Sequence, residues 1–279
     1  MILFGRKIEL TLISAKNETK TFSSSDGFTI EFEIGFGQKA ISTVKIYNVL
    51  PVTVDMCRPD KAGTKQVKFA KIELSAGYDD EITKLLSANI ISIEQKQNGI
   101  DTILEIKAAA NVNILQNSYV LDTYENQTAR QIFTSLFSKN NVTGYEINLL
   151  NDSIISSIAF NGTLQDAIKS MCKKANANFF VNNGKIYINS NNYKGLSLPE
   201  VVILSKDSGL IGIPEVSGNK IKVKSLLAPK LTTGIIFKLE YFEFATQKNV
   251  SINCLIGNGK HFGGNKIDSF YTEFECVKK

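Results

Sequence analysis

The chain has 279 residues, 43% of them hydrophobic, with a net charge of +5, four Cys, one His and no Trp. That length exceeds the usual single-domain size, and the apolar fraction excludes a largely disordered chain. No apolar run approaches the roughly 20 residues of a membrane span, and the start, residues 1–7, has too short an apolar core for a signal peptide. A soluble chain that stays where it is made, without membrane binding, is the expectation.

The 32 basic side chains include only Arg6, Arg58 and Arg130 as arginines, leaving 29 lysines. Arg supplies the bidentate fork that grips phosphate and reads guanine, so a Lys surface reads as solvation. Cys57, Cys172, Cys254 and Cys276 form no CxxC pair, and one His cannot complete a zinc set. Four free or buried thiols are expected.

Residues 7–13 alternate Ile8, Leu10 and Leu12 with polar neighbours, and residues 29–34 alternate Ile30, Phe32 and Ile34 with Glu31 and Glu33. Both read as half-buried strands. Residues 42–49 and 67–74 are also β-rich, with a loop and a short helix at 52–57 between them. Residues 89–108 read as a hairpin about Asn98-Gly99, a pair suited to a type I′ turn. After about residue 117 the period changes. Residues 128–139 and 163–175 carry helical apolar stripes, the second capped by Thr163 with Asp166 in its first turn. A hairpin at 179–189 and a linker at 189–197 follow. Strands resume at 220–227, 235–244, 249–255 and 271–277, with a turn at 228–234 that carries Pro229.

Chemistry is sparse. His261 lies in Asn258-Gly259-Lys260-His261-Phe262-Gly263-Gly264, which reads as a strand-connecting loop with glycines serving a tight turn. A P-loop would need Gly at Cys254 and Ser or Thr at His261. The acids Asp79-Asp80-Glu81 are the only foothold for a divalent cation or a glycosidase, and otherwise read as a solvated turn. The Gly-x-x-Gly loop of KH domains and the aromatic cluster of an RRM are missing. No catalytic residue, metal site or cofactor is assigned.

Two sets of stretches carry a resemblance. The first is Val44-Lys45-Ile46-Tyr47-Asn48-Val49 with Ile72-Glu73-Leu74-Ser75-Ala76-Gly77-Tyr78. The second is Ser208-Gly209-Leu210-Ile211-Gly212-Ile213-Pro214-Glu215, the run 221–234, and the closing His261, Gly263-Gly264 and 268–272. Together they resemble the baseplate hub proteins of phage tails, contractile ones especially. That family is related to tail protein D and to the N-terminal part of the valine-glycine-repeat spike proteins of type VI secretion. Gly77, Tyr78, Gly209, Gly212, Pro214 and His261 are the turn residues of the matching motifs.

The resemblance implies an α+β, mainly β fold: two tail-tube-like β-barrel domains, 1–110 and 193–279, with a small α/β domain, 111–192, inserted between them. A strand near 102–116 is a candidate member of the second barrel. It further implies a homotrimeric ring that adapts the sixfold tail tube to the threefold spike around the ejection channel, in a virion assembled in the host cytoplasm. Partners would be the tube, spike and tape-measure proteins, with DNA only in transit. No fused lytic or needle domain is expected after the second β domain. Sheet edges supply the heterologous contacts of a cyclic trimer. The turn at Leu226, Leu227, Pro229 and Lys230 is a candidate interface, where Leu227→Asp should block ring assembly without unfolding monomers. A cell-wall hydrolase built on the acid cluster is the alternative.

Overall fold

The alternation of apolar and polar residues in the first hundred positions becomes a run of antiparallel strands. A computed structural model describes residues 5–37, 41–60, 68–78, 81–109, 115, 118–142, 144–182, 185–191, 201–244 and 246–279. The chain divides into two compact units, Met1–Ala110 with Ser197–Lys279, and Asn111–Leu196.

The first half of the larger unit comprises β1 (Arg6–Ile13), β2 (Thr19–Ser23), β3 (Ile30–Phe36), β4 (Ser42–Tyr47), a short helix α1 (Pro51–Met56), β5 (Lys71–Tyr78), β6 (Glu81–Asn98) and β7 (Asp101–Ala109). The period-two pattern buries Ile8, Leu10 and Leu12 on β1 and Ile30, Phe32 and Ile34 on β3. Their polar alternates face outward, where Lys45 pairs with Glu31 at 3.7 Å and Lys260 with Glu33. Each fully buried Leu, Ile or Phe contributes about 1.5–3 kcal/mol. The hairpin joining β6 to β7 turns at Gly99-Ile100, because Asn98 pairs with Asp101. Of these two, only Gly99 has positive φ (62°), the requirement of a type II′ turn and not of the expected type I′ about Asn98-Gly99.

The inserted unit comprises β8 (Tyr119–Thr128), α2 (Ala129–Lys139), β9 (Tyr145–Asn148), β10 (Ile154–Thr163), α3 (Leu164–Lys174), β11 (Ala177–Asn182) and β12 (Lys185–Ser190). β8 and β10 form an antiparallel ribbon, and β12 lies between antiparallel β11 and parallel β9. Each ribbon strand ends on a threonine that caps the helix after it. Thr128 accepts from the Gln131 amide while the Gln131 side chain returns to the Thr128 amide, and Thr163 accepts from the Asp166 amide. The helical stripes Ile132, Phe133, Leu136 and Phe137, and Leu164, Ile168 and Met171, meet in one core.

The second half of the larger unit comprises β13 (Ile203–Leu204), β14 (Glu215–Ser217), β15 (Lys220–Leu226), β16 (Ile236–Glu243), β17 (Lys248–Gly264) and β18 (Phe270–Lys278). The stretch 258–264 is therefore strand and not loop. Its glycines keep ordinary strand dihedrals and serve close packing. A Cβ on Gly259 would strike Phe36 and Phe274, and one on Gly263 would strike Phe32 and Phe270. Glycine inside a strand marks such close approach.

The two halves repeat one strand order. In the first, neighbours run β3-β4-β7-β6-β5; in the second, β14-β15-β18-β17-β16, every pair antiparallel. In both halves the repeated strands follow a 3-10 turn ending on a left-handed glycine, Gly27 (φ 87°) or Gly209 (φ 106°). Both have a long strand whose first part pairs backward and second part forward, with a bulge at the switch: between Ile90 and Ser92, and between Ile256 and Asn258. They differ at the flank, where β1 is antiparallel to β5 but β13 is parallel to β16. Of the strand expected near 102–116, residues 102–109 run in β7 between β4 and β6 of the first half, and 110–114 and 116 lie outside the described residues.

Among the described residues a single strand pairing makes one sheet of the halves. β3 pairs with the last six residues of β17, Phe36 opposite Gly259 and Glu31 opposite Gly264. The sheet path ends at β14 and at β2, so the fold is mainly β with helices, and no closed barrel is found among the described residues.

Candidate functional site

The polar face of β15, β18 and β17 floors an open groove of about 910 Å³, walled by Phe36 and Ile41 on one side and Ile211 and Ile213 on the other. Alternation supplies its floor. Odd positions of β18 point outward, so Glu273 lies between Lys224 of β15, at 2.9 Å, and Lys260 of β17 in register. Lys224 Nζ also sits 3.8 Å from the Tyr271 ring centroid. Signs alternate across the floor. A dispersed Lys–Glu face of this kind gives cross-strand pairing of about 0.2–1 kcal/mol per pair, not the one-sign patch that holds nucleic acid.

His261 lies beneath this floor, on the inward face of β17. It is 2% exposed, its Nδ1 is 2.9 Å from Thr272 Oγ1 and its ring packs on Phe36 at 4.8 Å. Burial pushes its pKa down to about 3, so the ring is neutral at physiological pH and serves packing. Cys57, Cys172, Cys254 and Cys276 are all free and buried, and burial pushes Cys57 and Cys172 up to about 12. Those two thiols are poor nucleophiles. Among the described residues no group of three His, Cys, Asp or Glu could hold a metal ion, and no helix is long and apolar enough to cross a membrane. Asp79 and Asp80 of the acid cluster lie outside the described residues; Glu81 opens β6 and is exposed.

The remaining motif residues scatter around the larger unit. Gly77 closes β5, where a Cβ would strike the Glu81 carbonyl. Tyr78 follows it, its ring edge-on to Phe270 at 5.2 Å and its hydroxyl pKa raised by burial. Gly209 lets the backbone turn beside Leu226, and Gly212 (φ 70°) precedes buried Pro214. In the 226–230 turn Leu227 is 5% exposed and belongs to the core, Leu226 and Pro229 are half-buried, and Lys230 is exposed. Leu227 thus cannot serve as an external anchor whose loss spares the fold.

Sequence reasoning anticipated sheet edges as contacts but did not locate them. Among the described residues β14 has a strand neighbour on one side only, and so does β6 beyond Ile90. Large apolar side chains stand exposed along both: Ile213 and Val216 at β14, and Ile91 with Ile100, 98% exposed, on the β6–β7 hairpin. The alternation of Ile91, Ile93 and polar partners was a signal that the hairpin extends beyond its own core.

This architecture is that of phage-tail and type VI secretion proteins. A tail protein from Neisseria meningitidis superposes with a TM-score of 0.66 at 8% identity, covering 99% of this chain and 97% of that one. A 43 kDa tail protein of prophage MuSo2 from Shewanella oneidensis gives 0.64 at 8%, covering 97% and 98%. A component of the E. coli type VI secretion system, described as similar to T4 bacteriophage tail proteins gp27 and gp5, gives 0.61 at 11%, covering 90% and 73%. No curated protein sequence matches the chain. Residues 52–242 match the family model "Baseplate hub gp41". The chain belongs to that baseplate hub family, and its role is that of a structural phage-tail protein of the virion.

Proposed function

We propose that three copies of this chain form a ring at the base of a phage or phage-like tail. The ring presents six β halves to the sixfold tube and three chains to the threefold spike, and it surrounds the ejection channel. The observation that carries this reading is the strand order repeated twice within one sheet. Residues 1–110 and 193–279 act as the two tube-like β domains, which close into barrel walls only within the ring, and 111–192 is the inserted α/β domain. The type VI component's likeness to the T4 tail proteins gp27 and gp5 supports a place within a tail assembly.

Partners are further copies of the chain, the tube protein, the spike and the tape-measure protein, with DNA passing without tight binding. Pro229 and Lys230 offer the exposed part of the 226–230 turn to a neighbour. The role is structural and not catalytic. Electron-microscopy class averages of the chain with its spike protein should show rings of three chains with six lobes and an open centre; solid particles or monomers overturn the reading. A zymogram on peptidoglycan tests the hydrolase alternative, and a cleared band that is lost with Glu81→Gln would favour it.

A further inference from the structure

Internal repetition lets the joint within the chain specify the joint between chains. The bulges align Ile93 with Gly259, because Ile93 pairs with Ile106 as Gly259 pairs with Phe274. Val44 opposite Ile106 then matches Val223 opposite Phe274, and Glu33 opposite Thr43 matches Glu215 opposite Lys222. β14 is therefore the counterpart of β3, and the outer part of β6, residues 93–98, is the counterpart of the part of β17 that receives β3.

Within the chain β3 occupies its receiving segment. Its counterparts stay open: β14 is exposed throughout, and beyond Ile90 β6 pairs only with β7 among the described residues. We propose that β14 of one copy adds antiparallel to residues 93–98 of β6 in the next copy, in the register that β3 and β17 use. This deepens the ring reading and rests on it.

The transferred register places Glu215 opposite Lys96, as Glu33 stands opposite Phe262, and Ser217 opposite Glu94, as Gly35 stands opposite Lys260. Opposite charges directly across strands favour that register over a slip of one residue, which would also turn every side chain to the wrong face. Lys96, which already bridges Glu94 at 3.2 Å and Glu105 at 2.8 Å, carries a cation at the centre of the receiving edge. The pairing covers two edges that would otherwise invite indiscriminate addition, and it shelters Ile213 and Val216, which are 57% and 51% exposed. Because donor and acceptor edges differ, the contact is heterologous and closes a ring instead of a two-fold dimer.

Cysteine cross-linking of the full chain tests the register. The four native thiols are buried, so the introduced pair is the accessible one. Directly opposed strand residues lie about 4.5–5.5 Å apart between Cα atoms, within disulfide reach. Ser217→Cys with Glu94→Cys should give covalent trimers on mild oxidation, whereas Ser217→Cys with Lys96→Cys should not. In a second arm, Glu215→Lys should raise the concentration at which rings dissociate by about tenfold with monomer melting unchanged. If the unmodified chain forms trimers that neither link through 217 and 94 nor respond at Glu215, the strand pairing is overturned and the ring stands. If the unmodified chain stays monomeric with its tube and spike partners present, the ring falls and the pairing with it.

Discussion

His261 is an ionisable residue placed where ionisation is costly. Its pKa in the folded chain, about 3, lies below its ordinary value of 6.5. As pH falls the unfolded chain takes up the proton first, so stability is fully present above 6.5 and is lost progressively toward pH 3, by at most about 1.4 kcal/mol per unit. Chemical denaturation at pH 7.5 and 5 should show the parent losing more stability than His261→Asn, by about 1–2 kcal/mol; equal losses would remove the ring from the account. The neighbouring glycines make a second residue-scale case. Gly263→Val drives a side chain into Phe32 and Phe270 and should cost about 1–3 kcal/mol or more. Gly257→Ala, whose Cβ would meet only the Glu275 carbonyl at 3.4 Å, is the tolerated control in the same melting experiment.

At the scale of elements, two threonines hold the inserted unit's helices. Thr163→Ala and Thr128→Ala should each cost about 1 kcal/mol. In calorimetry of the whole chain each should lower the inserted unit's transition by about 4–8 °C and leave the larger unit's in place. Both helices were legible because stripe and cap agree: Leu164, Ile168 and Met171 follow Thr163 at helical spacing. Strands β1 and β3 were legible for the analogous reason, with Ile8 and Ile30 opening clean alternations. The segment 258–264 was illegible because its period is hidden. Gly259 and Gly263 stand where apolar side chains would signal a buried face, and the volume they vacate is filled by Phe36, Phe32 and Phe270 from elsewhere in the chain. β14 failed for another reason: Glu215, Val216 and Ser217 have no buried face within the chain, so no local pattern announces a strand. The turn residues Gly209 and Gly212 were visible as turns, but what they position depends on register set by residues far away.

At the scale of the whole molecule, the internal repeat survives as topology while the sequence retains little of it, such as Val44-Lys45 against Val223-Lys224. This separates assembly from folding at the 226–230 turn. Leu227→Asp buries a charge in the core and should unfold the larger unit, at a cost above about 4 kcal/mol. Lys230→Glu should leave the monomer's melting within about 0.5 kcal/mol, so that any loss of ring formation in sedimentation is attributable to the contact.

The joint between β3 and β17 also has a consequence for biogenesis. Glu33 and Lys260 are 227 residues apart. At ribosomal rates of about 5–20 residues per second the early strand waits roughly 10–45 s for its mate. During that interval the nascent chain exposes an apolar, unzipped border. A chain cut short before β17 would therefore leave that border open and yield sticky fragments, so solubility in the cell hinges on a strand made long after its mate.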